Sequence, residues 1–267
     1  MTFHIRREEV LDAEQLGQMF EQSPARAAQA LLLAAGQHSV EAQVLLGQIL
    51  LDGRGIEKDP ALARRWFAIA ANGGNAMAHN MLGRCLEHGW GGEPDAAAAS
   101  GHYRSAAELG LDWGLYNYAN LLATGRGAAV NQPAALACYR KAAELGHAKS
   151  MNLLGRYLEQ GLACVADPAQ ALQWYRRSAQ EGDFRGQFSY AASLAEQGNI
   201  EHALQWWERA LEGGNLNFLR ATTPVLEQAG DVRIQEMAQR YRQRLDEFPG
   251  DELEFTVNIK AVDEARR

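Results

Sequence analysis

A period of 36 residues constrains the fold of this chain more than any other feature of its sequence. Several residue classes return at that step. The aromatic members of the series are Phe67, Tyr103, Tyr139 and Tyr175. The small members are Gly47, Gly83, Ala119 and Gly155. The acidic or amide members are Asp59, Asp95, Asn131 and Asp167. A period of this length indicates a solenoid, in which each unit is a helical pair stacked on the next.

Each residue class predicts a piece of local structure. Asp59 and its equivalents precede Ala-rich runs, as N-cap residues do, and Pro60 and Pro168 follow at the first helical position. Glycines where the first helix of each unit stops predict left-handed C-caps; these are Gly53, Gly89, Gly125 and Gly161. Gly47 and its equivalents lie inside the first helix, where Gly costs roughly 1 kcal/mol relative to Ala. They therefore predict close approach of the paired helix, with the aromatic series filling the core.

These units resemble Sel1-like repeats, a family related to tetratricopeptide repeats. The resemblance rests on LLGQILLDGRGIEKDPALARRWFAIAANGG, MLGRCLEHGWGGEPDAAAASGHYRSAAELG and LLGRYLEQGLACVADPAQALQWYRRSAQEG. The third unit departs from the pattern at Tyr118-Ala119, which replaces its LG pair, and the fourth at Ala163, which replaces a Gly. The resemblance implies an all-α fold, a right-handed α-solenoid of about seven helical hairpins. It also implies an adaptor architecture that serves many partners.

The repeat and its edges predict five segments. These are a degenerate N-terminal capping repeat at 1–38, four Sel1-like repeats at 39–182, a shorter tetratricopeptide-like repeat at 183–214, C-terminal capping helices at 215–248 and an extended tail at 249–267. Leu253, Phe255 and Val257 alternate with polar residues, which is a β-like pattern. The tail is expected to lie on the last helices or stay partly disordered. The alternatives are docking in the chain's own groove and pairing with a partner.

Composition and charge exclude several classes of function. The net charge is −7, so the chain carries no general electrostatic signal for nucleic acid. Its apolar runs are too short for membrane insertion. Charged residues occupy the N-terminus where a signal peptide needs an apolar region. The cysteine count of 3 argues against a disulfide framework and for a reducing compartment, so a cytoplasmic location is expected.

The sequence offers no convincing catalytic, metal or cofactor site. It contains none of the common motifs of nucleotide-binding loops, serine hydrolases or zinc proteases. Cys85 and His88 have a usable metal spacing, but the repeat register predicts Cys85 in the core and His88 in solvent. One branch of the resembled family carries regular cysteine pairs and has penicillin-hydrolysing activity. The cysteines of this chain do not follow that spacing.

By analogy with tetratricopeptide repeats, the first helix of each unit lines a concave groove. The predicted partner-binding residues are Asn80, Arg84, Trp113, Tyr116, Asn120, Lys149, Asn152, Arg156 and Arg185. Donors among aromatics suit an extended protein or peptide segment bearing a carboxylate, and a merely solvated face is the alternative. We therefore predict a non-catalytic protein–protein interaction scaffold or adaptor. A regulatory or assembly subunit of a neighbouring enzyme or transport system is one alternative, and a hydrolase is another.

Overall fold

The computed structural model describes residues 13–248, with side chains from Gly17 onward, and this range contains fourteen α-helices and no strand. The helices are α1 Ala13–Gln22, α2 Pro24–Gly36, α3 Val40–Asp52, α4 Pro60–Asn72, α5 Ala76–His88, α6 Ala96–Glu108, α7 Asp112–Thr124, α8 Gln132–Glu144, α9 Ala148–Gln160, α10 Pro168–Gln180, α11 Phe184–Glu196, α12 Ile200–Gly213, α13 Leu216–Glu227 and α14 Val232–Asp246. The predictions for the 249–267 tail and for residues 1–12 lie outside the described range.

Consecutive helices pair as hairpins, from α1 with α2 to α13 with α14. The chain divides into two compact units, Met1–Gly110 and Leu111–Arg267, called here the N-terminal unit and the C-terminal unit. In the N-terminal unit, α2 packs on α3 and α4 on α5. In the C-terminal unit, α8 packs on α9 and α10 on α11. Each unit is thus a run of stacked hairpins, and the all-α solenoid prediction is confirmed.

The predicted N-caps start the second helices. The Asp59 carboxylate accepts a hydrogen bond from the Leu62 amide at 2.9 Å. The same bond forms at Asp95, Asn131 and Asp167. The backbone amide of Asp59 also donates to the Leu50 carbonyl on α3, at 2.9 Å. Each cap therefore fixes its loop to both helices of the hairpin.

The predicted C-caps end the first helices in the left-handed conformation. The φ angles of Gly53, Gly89, Gly125 and Gly161 are 73°, 70°, 75° and 66°. The second glycine of the loop is also left-handed, with φ of 76° at Gly55. Ala163 keeps that conformation with φ of 57°, although a side chain disfavours it. The loop geometry is therefore retained where the sequence departs from the repeat pattern.

Glycines inside the first helices allow the aromatic residues of the second helices to pack directly against the helix backbone. A Cβ atom added at Gly83 would lie 2.7 Å from Cε1 of Tyr103. The corresponding distance is 2.6 Å both from Gly47 to Phe67 and from Gly155 to Tyr175. The four aromatic side chains of the series are buried. Close approach and core filling are therefore both confirmed.

The hydroxyl groups of the buried tyrosines bond back to the first helix. Tyr103 donates to Glu87 at 2.5 Å, and Tyr175 donates to Glu159 at 3.0 Å. The α7–α8 hairpin has Ala123 at the glutamate position, and there Tyr139 donates to Asn120 at 2.7 Å. The α3–α4 hairpin has Phe67 opposite Leu51 and needs no such acceptor. The hydroxyls of Tyr103, Tyr139 and Tyr175 are thus satisfied within their own hairpins, whereas Tyr157 on α9 donates to Gln132 on α8.

Candidate partner-binding surfaces

The nine predicted partner-binding residues all lie on the first helices of their hairpins. Asn80 and Arg84 lie on α5 in the N-terminal unit. The other seven lie on α7, α9 and α11 in the C-terminal unit: Trp113, Tyr116, Asn120, Lys149, Asn152, Arg156 and Arg185. The two sets are described separately because they belong to different units.

Three aromatic rings cluster where α7 and α9 begin. The ring centroid of His147 lies 4.6 Å from that of Trp113 and 4.8 Å from that of Tyr116. The Lys149 ammonium lies 5.1 Å from the Trp113 ring centroid, which is a cation–π contact. The Trp113 side chain is nevertheless 40% exposed. A large aromatic surface therefore stays accessible to a partner beside a positive charge.

His147 is the member of this cluster that the sequence analysis missed. It is only 5% exposed, and its Nδ1 atom accepts from the Ser150 amide at 3.2 Å, which caps α9. Burial lowers the pKa of its imidazole to about 4, against a smaller opposing effect of the Asp112 carboxylate. The ring is therefore neutral at pH 7 and packs edge-on against Trp113. The sequence did contain a signal for this role. His147 precedes by one 36-residue period Asp183, which caps α11 in the same way.

Three cationic side chains of the C-terminal unit form no ion pair with the residues that the structure describes, although the charges of Lys149 and Arg185 lower the pKa of the buried Asp183 carboxylate against the larger effect of burial. Within residues 17–248, neither Lys149, Arg156 nor Arg185 forms an ion pair. Arg185 lies over the ring of its neighbour Phe184, with 4.5 Å from Cζ to the ring centroid. The nearby Asp183 carboxylate is buried and caps α11 through the Gly186 amide. These positive charges are thus open to an anionic group from outside the chain.

The two amide side chains of the C-terminal surface have different surroundings. Asn120 accepts from the Tyr139 hydroxyl, so part of its hydrogen-bonding capacity serves the core. Asn152 is only 4% exposed, and its Oδ1 atom has no hydrogen-bond partner among the described residues. A buried polar atom without a partner costs about 1–3 kcal/mol, so Asn152 retains an unused hydrogen-bonding group.

In the N-terminal unit, the predicted residues Asn80 and Arg84 both contact neighbouring parts of the fold. Asn80 is 3% exposed, which places its amide in the core of the unit. The Arg84 guanidinium lies over the Trp90 ring, with 5.0 Å from Cζ to the ring centroid. Arg84 therefore presents its charge next to an aromatic surface, as Lys149 does in the C-terminal unit.

The described residues provide little for catalysis. No group of three or more His, Cys, Asp or Glu side chains in residues 17–248 is arranged to hold a metal ion. Cys85, Cys138 and Cys164 are free thiols, and burial raises the pKa of Cys85 to about 11. Cys85 is in the core as predicted. His88 is half-buried against Trp90, with ring centroids 5.0 Å apart, rather than fully in solvent.

Nothing in residues 13–248 resembles a membrane span, since no helix in that range combines the required length with the required apolarity.

Comparison with known proteins gives a consistent family and fold. A family model described as Sel1 repeat matches residues 40–75, 76–111, 114–147, 148–183 and 189–215. No curated protein matches the chain in sequence. The first four matched segments follow the predicted 36-residue register. The fifth begins inside α11 and covers the rest of the shorter α11–α12 hairpin.

Several solved structures share the fold. A Sel1 repeat protein from Oxalobacter formigenes is 26% identical with a TM-score of 0.77, and the match covers 90% of this chain and 98% of that one. A protective antigen from uropathogenic Escherichia coli is 28% identical with a TM-score of 0.70, over 86% of this chain and 52% of the antigen. This chain thus spans about half of the antigen's length. An immunity protein from Pseudomonas aeruginosa has a TM-score of 0.52 at 18% identity, over 78% of this chain and 80% of that one. The immunity protein shows the fold alone.

Proposed function

The chain belongs to the Sel1 repeat family, and from this premise we propose that it is a non-catalytic adaptor that binds an acidic peptide segment of a partner protein. Sel1 repeat proteins generally mediate protein–protein interactions, and the family is mostly a non-catalytic scaffold. The proposed binding surface of the C-terminal unit comprises Trp113, Tyr116, Lys149, Arg156 and Arg185, together called the cationic–aromatic surface. Asn120 and Asn152 border it on α7 and α9.

The accessible face of Trp113 beside the Lys149 ammonium carries the proposal. The chain has a net charge of −7, yet the cationic residues of this surface have no ion-pair partner within residues 17–248. An exposed Trp among cations is a common composition for a binding hot spot. Carboxylates complement such a surface because charge-assisted hydrogen bonds are stronger than neutral ones.

The repeat also sets the spacing of the acidic groups that would fit. Lys149 and Arg185 are equivalent residues, 36 positions apart, on α9 and α11, and these two helices are in contact. Packed helix axes lie about 8–10 Å apart. A peptide in the polyproline II conformation advances about 3.1 Å per residue with three residues per turn, so side chains three positions apart share one face and span about one hairpin. We therefore expect recognition of two carboxylates three positions apart in the peptide.

The N-terminal unit has a related arrangement. Asn80 and Arg84 recur 72 positions later as Asn152 and Arg156. The proposal includes Arg84 as a partner contact of that unit, and Asn80 as the buried amide that supports it. The location proposed for the protein is the cytoplasm, which rests on the free state of its three thiols.

A direct binding experiment tests this proposal. Fluorescein-labelled ten-residue peptides are titrated with the full chain, and fluorescence anisotropy is recorded. The peptides carry two acidic residues at spacings of one to five, and matched peptides carry amides instead. We expect binding to require the acidic residues and to be strongest at a spacing of three.

A charge-reversal variant and a matched control locate the surface. Lys149→Glu with Arg156→Glu is expected to abolish binding of the acidic peptides. Arg140→Glu with Lys141→Glu makes the same change in net charge on exposed residues of α8 and is expected to bind normally. Equal behaviour of the two variants, or no preference for acidic peptides, would contradict the proposed surface.

A further inference from the structure

Two imidazoles face each other in the N-terminal unit, apart from the residues used in the proposed function. His79 on α5 and His102 on α6 have their Nδ1 atoms 3.1 Å apart, and both side chains are partly buried. Their ring centroids are 5.3 Å apart, with 35° between the planes. Cys85 and His88 have a metal-like spacing in the sequence, but the repeat register argued against a site there. Hairpin geometry brings together two histidines that are 23 positions apart in the chain.

The repeat itself does not require imidazoles at these two positions. Hairpins before and after this one have other residue pairs at the equivalent places: Gln43 with Trp66, Leu115 with Cys138, and Met151 with Trp174. Those pairs allow the same helices to pack. The His79–His102 pair is therefore a local feature added to the common architecture.

One part of the His79 ring has a structural role that the repeat explains. The backbone carbonyl of Ala71 acts on the His79 imidazole and raises its pKa, against the larger lowering by burial. The equivalent Gln43 donates to Ala35 at 3.3 Å. The contact between His79 and His102 is additional to this role. Histidine ligands of metal ions commonly donate their second N–H to a backbone carbonyl, which fixes the ring orientation.

Both rings are in the protonation state that a metal ion needs. Burial lowers the pKa of His79 and of His102, and the neighbouring His79 lowers the pKa of His102 further. The two imidazoles are thus neutral at pH 7. Neutral imidazole is a good ligand for late first-row transition metals.

We propose that His79 and His102 form a two-imidazole binding site for a divalent late transition-metal ion, of the class of Cu²⁺, Ni²⁺ and Zn²⁺. With metal–nitrogen distances of about 2.0–2.1 Å, an Nδ1–Nδ1 separation of 3.1 Å corresponds to an angle of about 98° at the metal. That angle lies between the square-planar and tetrahedral values. The ion takes the place of the proton between the two Nδ1 atoms. That proton moves to the Nε2 atom of the same imidazole. The proton balance of the protein is then unchanged.

The surroundings determine what completes the coordination. Within residues 17–248, no third His, Cys or carboxylate joins the pair. His102 lines a surface cavity of about 520 Å³, together with Arg64, Arg65 and Asp95. We expect water from this cavity, which reaches His102, to fill the remaining positions. The two arginines oppose a cation and favour an anionic co-ligand, so we expect micromolar affinity rather than the tight binding of a closed structural site.

The site is tested on the full chain without an affinity tag. CuCl₂, ZnCl₂ and MgCl₂ are titrated by calorimetry, and the Cu²⁺ complex is analysed by electron paramagnetic resonance. We expect one equivalent of Cu²⁺ to bind more tightly than Zn²⁺, no binding of Mg²⁺, and a spectrum with hyperfine coupling to two nitrogens.

Two variants and one control assign the ligands. His79→Gln and His102→Trp introduce residues that the chain itself uses at the equivalent positions, so their folding is expected to be retained and is checked by circular dichroism. Each is expected to weaken Cu²⁺ binding at least tenfold and to remove one nitrogen coupling. His202→Gln removes an exposed imidazole elsewhere and is expected to have no effect. Binding of equal strength in the wild type and either folded variant would mean an adventitious ion only and would overturn the proposal, as would the absence of stoichiometric Cu²⁺ binding.

Discussion

At the scale of single residues, the absence of a side chain at three helix positions sets the distance between the helices of a hairpin. Gly83 carries only a hydrogen atom where the Tyr103 ring crosses α5. In a helix, Gly is less favourable than Ala by about 1 kcal/mol, so this position is retained for packing and not for helix formation. Gly101 on α6 of the same hairpin has no atom within 4 Å of an added Cβ. Substitutions at the two glycines can therefore be compared: both change helix propensity, but only the one at Gly83 adds a steric clash.

Gly83→Ala is expected to destabilise the protein, and Gly101→Ala to stabilise it. Overpacking against Tyr103 costs about 1–3 kcal/mol, which exceeds the roughly 1 kcal/mol gained in helix propensity. At Gly101 only the gain applies. Urea unfolding followed by circular dichroism measures both changes in the free energy of unfolding. A gain of stability in both variants would show that the ring does not restrict this position.

His147 is expected to make the stability of the protein depend on pH. Its folded-state pKa of about 4 lies below its ordinary value of 6.5, so the unfolded chain binds a proton that the folded chain does not. The nearby Asp112 carboxylate partly opposes this shift, and the Lys149 ammonium adds to it. Stability is then lost as the pH falls from 6.5 toward 4, by about 2–3 kcal/mol.

His147→Asn supplies the matched control for that dependence. Asn75 caps α5 at the equivalent position, so Asn is expected to cap α9 without titrating. Urea midpoints are measured for both proteins between about pH 7.5 and pH 4.5. The wild type should lose more stability than the variant over this range. Parallel curves would assign the acid sensitivity to other groups.

At the scale of the helical element, side-chain caps begin both helices in hairpins such as α3–α4 and α9–α10, whereas Leu111 leaves α7 without one. The second-helix caps, such as Asp59, were predicted because an Asx residue directly precedes an Ala-rich run. The first-helix caps were not predicted: Ser39, Asn75, His147 and Asp183. They share a position but not a residue type, and His is an uncommon cap. The sequence therefore revealed the second-helix caps, where the same Asp or Asn residue type recurs, and not the first-helix caps, where the residue type varies.

Removing the second-helix caps is expected to cost stability in each hairpin separately. Asp59→Ala and Asp167→Ala should each lower the free energy of unfolding by about 0.5–2 kcal/mol, because one backbone amide loses its acceptor. Asp52→Ala serves as the control, since that carboxylate only accepts from the exposed Gln48 side chain. Chemical denaturation measures the three values. A loss at Asp52 as large as at the caps would contradict the assigned helix starts.

At the scale of the whole molecule, the fold is far more predictable than the surface that binds a partner. Fold signals such as Gly83 and Asp59 are local, so a periodic sequence displays them directly. The exposure of a first-helix side chain depends instead on its neighbours in three dimensions. Trp113 remains accessible, whereas the amides of Asn80 and Asn152 are buried. The pairing of His79 with His102 likewise depends on the crossing of two helices and is not visible as a motif.

The proposed recognition of acidic peptides predicts a strong salt dependence. The screening length between exposed charges is about 10 Å at 0.1 M ionic strength, and it becomes shorter as the salt concentration rises. The affinity for the acidic probe peptides is therefore expected to fall several-fold between about 50 and 500 mM NaCl, with unchanged helical circular dichroism. Anisotropy titrations at several salt concentrations measure this. Salt-independent affinity would indicate that the contact with Trp113 alone accounts for binding.

The hydrogen bonds of the core tyrosines limit where this chain can recombine with copies of itself. Tyr103 relies on Glu87, whereas Tyr139 relies on Asn120, and each pair lies within one hairpin. A crossover in the turns at Gly74 or Gly110 keeps the Tyr103 and Tyr139 hydroxyls with their acceptors, whereas one at Gly146 separates Tyr157 from Gln132. A crossover inside a hairpin loop instead joins Tyr103 to α3, which has Leu51 at the glutamate position. Duplication of repeats is thus expected to be better tolerated at the turns at Gly74 and Gly110 than inside a hairpin loop, because fusions made there keep each of these two hydroxyls with its acceptor.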